Sequence, residues 1–135
     1  MLSFYILNSY EIMKKVILDT SFILSCAKQK IDFFEEIELR GLKILIPAEV
    51  IKEIKSIADS KKIPGARASA SLSLKILEKN SYEKINLSSK NVDKGIIKLA
   101  NENHRLIVAT LDAEIKSKVP NQKLVIREKK KLEII

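Results

Sequence analysis

A chain of 135 residues has room for one domain with a real core, and none of its apolar stretches approaches the ~20 residues needed to span a bilayer. Its net charge of +8 and pI near 9.5 favour a polyanionic partner, RNA or DNA, although a Lys-, Glu- and Ile-rich balance is also what heat-adapted proteins reach through surface ion pairs. One cysteine, Cys26, excludes an internal disulfide and suits a reducing cytoplasm, and one histidine, His104, leaves no basis for a His-based metal cluster or a Ser-His pair.

Met1 to Tyr10 has an apolar flavour but no basic leader and no small-residue cleavage site, so it makes a poor signal peptide. Met13-Lys14-Lys15 reads as a natural start, which sets residues 1–13 apart as an extension of uncertain status from a single domain over 14–135. The apolar run ending at Asp19 predicts a strand over 14–19, and Thr20 or Ser21 would cap a helix over roughly 21–29 that holds Cys26 as a small buried filler. A short helix through Asp32–Ile37 follows, closed by Arg40-Gly41 with glycine past its end. Lys43–Ile46 is a second buried strand, and Pro47 opens a helix reaching about Asp59. Ser60 to Gly65 reads as a basic loop with a Pro-Gly turn signal, and Ala66–Lys79 as helix. Tyr82–Leu87 alternates like a partly exposed edge strand; Ser88 and Ser89 precede a helix with Val92, Ile96, Leu99 and Ala100 on one side. His104 falls near the end of that helix, as a surface or capping residue. A strand over 106–110, a helix over 112–118 and a last strand, Lys123–Ile126, complete the chain. Strands alternating with helices predict an α/β fold, a three-layer α/β/α sandwich with a central parallel sheet.

Two of these buried strands stop at an acid: Val16-Ile17-Leu18-Asp19-Thr20-Ser21 and Leu106-Ile107-Val108-Ala109-Thr110-Leu111-Asp112. In parallel sheets, ligands bind at the carboxyl ends of strands, so these two carboxylates could stand side by side. Glu53 and Asp93 lie between them in sequence, on predicted helices. Each acid alone has a structural reading: Asp19 and Asp112 as helix caps, Asp93 as a first-turn acid favoured by the helix dipole. Glu53 competes with Glu49. At about 100° per residue, Glu53 lies about 60° from Val50 on the edge of the apolar face, whereas Glu49 lies about 100° away, towards solvent. Four carboxylates drawn to one spot would repel each other without cations, and the simplest use for them is to hold Mg²⁺ or Mn²⁺, which prefer oxygen ligands.

In this order the residues resemble the PIN-domain family of nucleases: Asp19-Thr20-Ser21 after the first strand, Glu53 on the helix after the second, Asp93 opening a later helix, and Thr110-Leu111-Asp112 after a further strand. The resemblance covers residues 14–126. Ile31–Ile37 and the tail from Val125 look most like the archaeal group related to ribosomal-RNA-processing PIN proteins, with VapC toxins as close relatives. It implies a divalent-metal-dependent endoribonuclease in the cytoplasm, with Asp19, Glu53, Asp93 and Asp112 as catalytic acids. Asp19 and Asp112 would be direct metal ligands, Asp93 and Glu53 would bind a second ion or orient water, and Ser21 and Thr110 would supply supporting hydroxyls. Glu114 is an ordinary first-turn acid that could join them. Lys61, Lys62 and Arg67 are the leading RNA-binding candidates, and the tail residues Arg127, Lys129, Lys130 and Lys131 come second. A homodimer and an antitoxin partner are expected by resemblance alone. The alternative is a module that binds RNA or protein with little or no cleavage, supported by Leu111, where the group usually carries Asn, and by the basic tail; the presence of all four acids argues for the nuclease.

Overall fold

A computed structural model describes residues 14–62 and 64–135; the extension over residues 1–13 lies outside the described residues. The elements are β1 (Lys15–Leu18), α1 (Thr20–Gln29), α2 (Phe33–Leu39), β2 (Lys43–Pro47), α3 (Ala48–Asp59) and α4 (Pro64–Lys79). They continue as β3 (Glu83–Ile85), α5 (Val92–Glu102), β4 (Ile107–Ala109), α6 (Ala113–Lys118), β5 (Lys123–Arg127), a short 3₁₀ turn and β6 (Lys131–Ile134). The six strands form one sheet in the order β3-β2-β1-β4-β5-β6. The first five run parallel, with Val16 beside Ile44 and Ile107 and Leu18 beside Ala109.

Side chains alternate across each strand, and this decides the layering. Val16, Leu18, Ile44, Ile46, Ile107 and Ala109 join one core with Phe22, Phe33, Phe34, Val50, Ile54, Ala70 and Leu77, so α1 to α4 cover that face. Ile17, Leu45 and Val108 point the other way and pack with Ile96, Ala100 and Ile115, so α5 and α6 cover the second face. The apolar runs of β1 and β4 are unbroken because both of their faces are buried. Cys26 is fully buried in the first core, and burial, with Glu36 nearby, pushes its thiol up to about 12, far from a nucleophile. His104 is exposed.

The structure departs from the sequence expectations at several places. The sheet is mixed: Lys131–Ile134 pairs antiparallel with β5, so the basic tail is the turn and second arm of a hairpin. Lys129 and Lys130 turn the chain through left-handed backbone, and Arg127 closes on Glu133 at 2.7 Å. The edge strand β3 is shorter than Tyr82–Leu87. The cap of α1 is Asp19, whose carboxylate takes the Thr20 amide, and the cap of α5 is Asn91, whose side chain takes the Lys94 amide.

Candidate active site

The strand order reverses between β1 and β4: the chain first winds outward through β2 and β3, then returns to β4 on the other side of β1. Connections leave β1 and β4 in opposite directions, and the crevice between their carboxyl ends is where open α/β sheets bind ligands. Asp19 follows β1 directly, and its amide donates to Ala109 O at 2.9 Å. Thr110 follows β4, and Asp112 caps α6. Register alone therefore brings these three residues to the switch point.

A web of hydroxyls fixes them there. Asp19, only 4% exposed, accepts the Thr20 amide on Oδ1 at 2.8 Å; on Oδ2 it accepts Thr110 Oγ1 at 2.8 Å and Ser21 Oγ at 3.1 Å. Each hydroxyl also works as an acceptor: Thr110 Oγ1 takes the Asp112 amide at 3.0 Å, and Ser21 Oγ takes the Leu111 amide at 3.1 Å. Leu111 thus contributes its backbone, and its apolar side chain, 38% exposed, takes no part in these bonds. Asp112 Oδ1 accepts the amides of Glu114 and Ile115 at 2.8 and 3.3 Å, while among the described residues nothing bonds to its Oδ2.

Electrostatics mark the same place. Burial raises the Asp19 carboxyl above its ordinary value against three bonds that lower it, from Thr110, the Thr20 amide and Ser21 in that order, and repulsion from Glu53 adds to the rise. Asp93, in the first turn of α5, is raised by desolvation and then by repulsion from Asp19, Asp112 and Glu114. Asp19, Asp93 and Asp112 thus share one neighbourhood, and Glu53 reaches it through Asp19. The ion pairs among the described residues join Arg40 to Glu36, Lys43 to Glu83, Lys118 to Glu114 and Arg127 to Glu133; none of the four candidate acids is among them. The acids stop short of closing on a single point: among the described residues no three His, Cys, Asp or Glu side chains already stand as a metal cage.

Glu53 and Glu49 both depart from the helical-wheel expectation. Glu49 is partly buried, and both of its oxygens accept the Leu87 amide, at 3.1 Å each, so it holds the β3–α5 connection instead of meeting solvent. Glu53 is exposed and lines a cavity of about 550 Å³ between α3 and that connection. Lys61, Lys62 and Arg67 are exposed around the α3–α4 connection. Glu114 is engaged by Lys118 at 2.7 Å.

A family model described as a PIN like domain matches residues 16–130. The chain belongs to the PIN-like domain family. Ribonuclease VapC4 of Methanocaldococcus jannaschii is 32% identical over 129 residues, covering 90% of this chain and 97% of that protein. The solved PIN domain endonuclease Utp24 shares the fold, with a TM-score of 0.68 at 22% identity over 90% of this chain and 95% of that one. Among the described residues, no helix of this PIN-like domain is long and apolar enough to cross a membrane.

Proposed function

We propose that this PIN-like protein is a divalent-metal-dependent endoribonuclease of the cytoplasm, with Asp19, Glu53, Asp93 and Asp112 as its catalytic acids. The observation that carries this reading is that one hydroxyl, Thr110 Oγ1, ties Asp19 to the Asp112 backbone at the sheet's switch point, with Asp93 close enough to be repelled by both acids and, among the described residues, no basic side chain ion-paired to any of the three. The 32% identity to a protein named ribonuclease, over nearly all of its length, supports RNA as the substrate.

The residues fit a hard cation. All donors are carboxylate oxygens, and Asp112 Oδ2 is uncommitted. Mg²⁺ characteristically keeps several waters and takes one or two carboxylates together with substrate phosphate, which suits acids that are near one another without forming a cage. When bound, Mg²⁺ or Mn²⁺ supplies Lewis acidity towards a water and charge neutralisation at the scissile phosphate. Asp19, locked by Thr110, Ser21 and the Thr20 amide, and Asp112, locked by its two amides, are the residues to hold it, with Asp93 beside them. Glu53 would orient water on the open side. Fixing these carboxylates before substrate arrives removes reorganisation from the reaction itself.

The test is cleavage of a labelled single-stranded RNA with Mn²⁺ or Mg²⁺, with EDTA, and by Asp19→Asn. Metal-dependent cutting lost in EDTA and in the variant supports the reading; cutting that persists in both defeats it. A second reading, the nuclease toxin of a VapC-type pair, draws on the likeness to VapC4. It predicts growth arrest on expression that is relieved by the neighbouring gene's product. The supporting cations of either reading include Lys61, Lys62 and Arg67.

A further inference from the structure

The cavity of about 550 Å³ that reaches Glu53 is lined by Glu49, Lys52, Glu53 and Ser56 from α3, by Ser88, Ser89 and Lys90 from the β3–α5 connection, and by Val92 at the start of α5. We propose that this groove is a phosphate subsite that seats the RNA backbone beside the cut; the proposal rests on the ribonuclease reading and adds the path of the strand. Lys52 and Lys90 stand on opposite walls, both exposed, and neither is in an ion pair among the described residues. The hydroxyls of Ser56 and Ser88 likewise have no hydrogen-bond partner among the described residues, so two cations and two free donors share one space with Glu53 and with Glu49, whose two oxygens both accept the Leu87 amide. Phosphate oxygens are what such a set satisfies, and contacts of this kind fix a strand's register without reading its bases.

The far wall is held in place independently of any ligand. Glu49 grips the Leu87 amide, and Ser89 Oγ donates to Asn91 O at 2.9 Å while accepting the Asn91 amide at 3.3 Å. Gly95 lets the connection lie directly on α5: a Cβ there would sit 2.9 Å from Leu87 Cβ and 3.2 Å from Ser89 Cβ. A wall already ordered loses little freedom when a strand docks. The acids repel phosphate, so affinity has to come from neighbouring cations, and Lys52 and Lys90 share a cavity with one of those acids.

The test uses Asp19→Asn as a non-cutting background and a short fluorescent single-stranded RNA, with affinity measured across a salt series. Lys52→Gln with Lys90→Gln should weaken binding at least ~10-fold and make the slope of log affinity against log salt shallower by about 1.4 units, two phosphates at ~0.7 each. Lys28→Gln with Lys79→Gln, the same charge change at exposed positions elsewhere, should leave the slope alone. Equal losses in both double variants, or no loss in the first, overturn the groove. A wild-type protein that cuts RNA while the Lys52/Lys90 variant binds like its parent overturns the groove alone, and a wild-type protein that neither cuts nor binds RNA overturns both readings.

Discussion

Thr110→Val removes one oxygen at nearly constant volume, so it probes the hydroxyl web at the switch point and leaves packing almost untouched. Thr110 is fully buried, donates to Asp19 Oδ2 at 2.8 Å and accepts the Asp112 amide at 3.0 Å. A bond to a charged group contributes roughly 1.5–3 kcal/mol and a neutral one roughly 0.5–1.5 kcal/mol, so the variant should lose about 2–4 kcal/mol at neutral pH. At ~4 °C per kcal/mol for a chain of this size, the melting temperature should fall by roughly 8–16 °C. The loss should also depend on pH. Thr110 is the strongest influence lowering the Asp19 carboxyl, so without it that group rises further above its ordinary 3.8. An acid raised in the folded state gives stability that is complete below its unfolded value and is lost as pH rises through its folded one. The charge-dependent part of the deficit is therefore absent below pH 3.8 and grows as pH rises towards neutrality. Urea unfolding in EDTA at about pH 4 and pH 7 measures both quantities, with Thr110→Ser, which keeps the hydroxyl, as the control. A Thr110→Val protein within ~0.5 kcal/mol of wild type at pH 7, or one whose deficit does not shrink on acidification, would refute the reasoning.

In Asp19→Asn, Oδ1 keeps the Thr20 amide and the new side-chain NH₂ donates to the hydroxyls of Ser21 and Thr110, which lose their own acceptor, so the fold should persist at reduced stability while RNA cleavage in Mn²⁺ drops to background. Mn²⁺ at a hundredfold excess over its dissociation constant should stabilise wild type by about 2.7 kcal/mol and leave this variant unmoved, as differential scanning fluorimetry would show. Gly95→Ala should lower the melting temperature: helix propensity gains up to ~1 kcal/mol, but crowding Leu87 and Ser89 costs ~1–3 kcal/mol. A rise would mean that the β3–α5 connection yields freely. Replacing Lys61 and Lys62 together should make the RNA salt slope shallower by about 1.4 units while bound substrate is still cut; an unchanged slope makes that loop a bystander.

Most of the sandwich could be read from the sequence because its signals are local. Each core strand is an apolar run, and a period of two sends Val16 and Leu18 to one core and Ile17 to the other. β6 could not be read this way. Lys131-Leu132-Glu133-Ile134 alternates, but it follows a run of lysines that looks like a solvated end, and what makes it a strand is its antiparallel pairing with β5 across a turn of two left-handed residues. The orientations of Glu49 and Glu53 could not be read for a related reason. A helical wheel orders the two acids against their own helix, whereas Glu49 is claimed by Leu87, brought within reach by a connection that packs on Gly95 from another layer.

The acids at the strand ends teach something different, because there the two readings of the sequence are not alternatives. Asp19 and Asp112 do cap helices, each giving Oδ1 to first-turn amides. Capping occupies one oxygen and fixes the plane of the carboxylate, so the second oxygen is aimed by the same bonds that stabilise the helix. On Asp112 that oxygen is uncommitted among the described residues, and on Asp19 it is steered by two hydroxyls, Ser21 in the first turn of α1 and Thr110 at the end of the neighbouring β4. A capping acid at an ordinary strand end would face solvent and nothing more. At the point where strand order reverses, the same cap holds its carboxylate near others of its kind, and local helix chemistry becomes the framework of the proposed cation site.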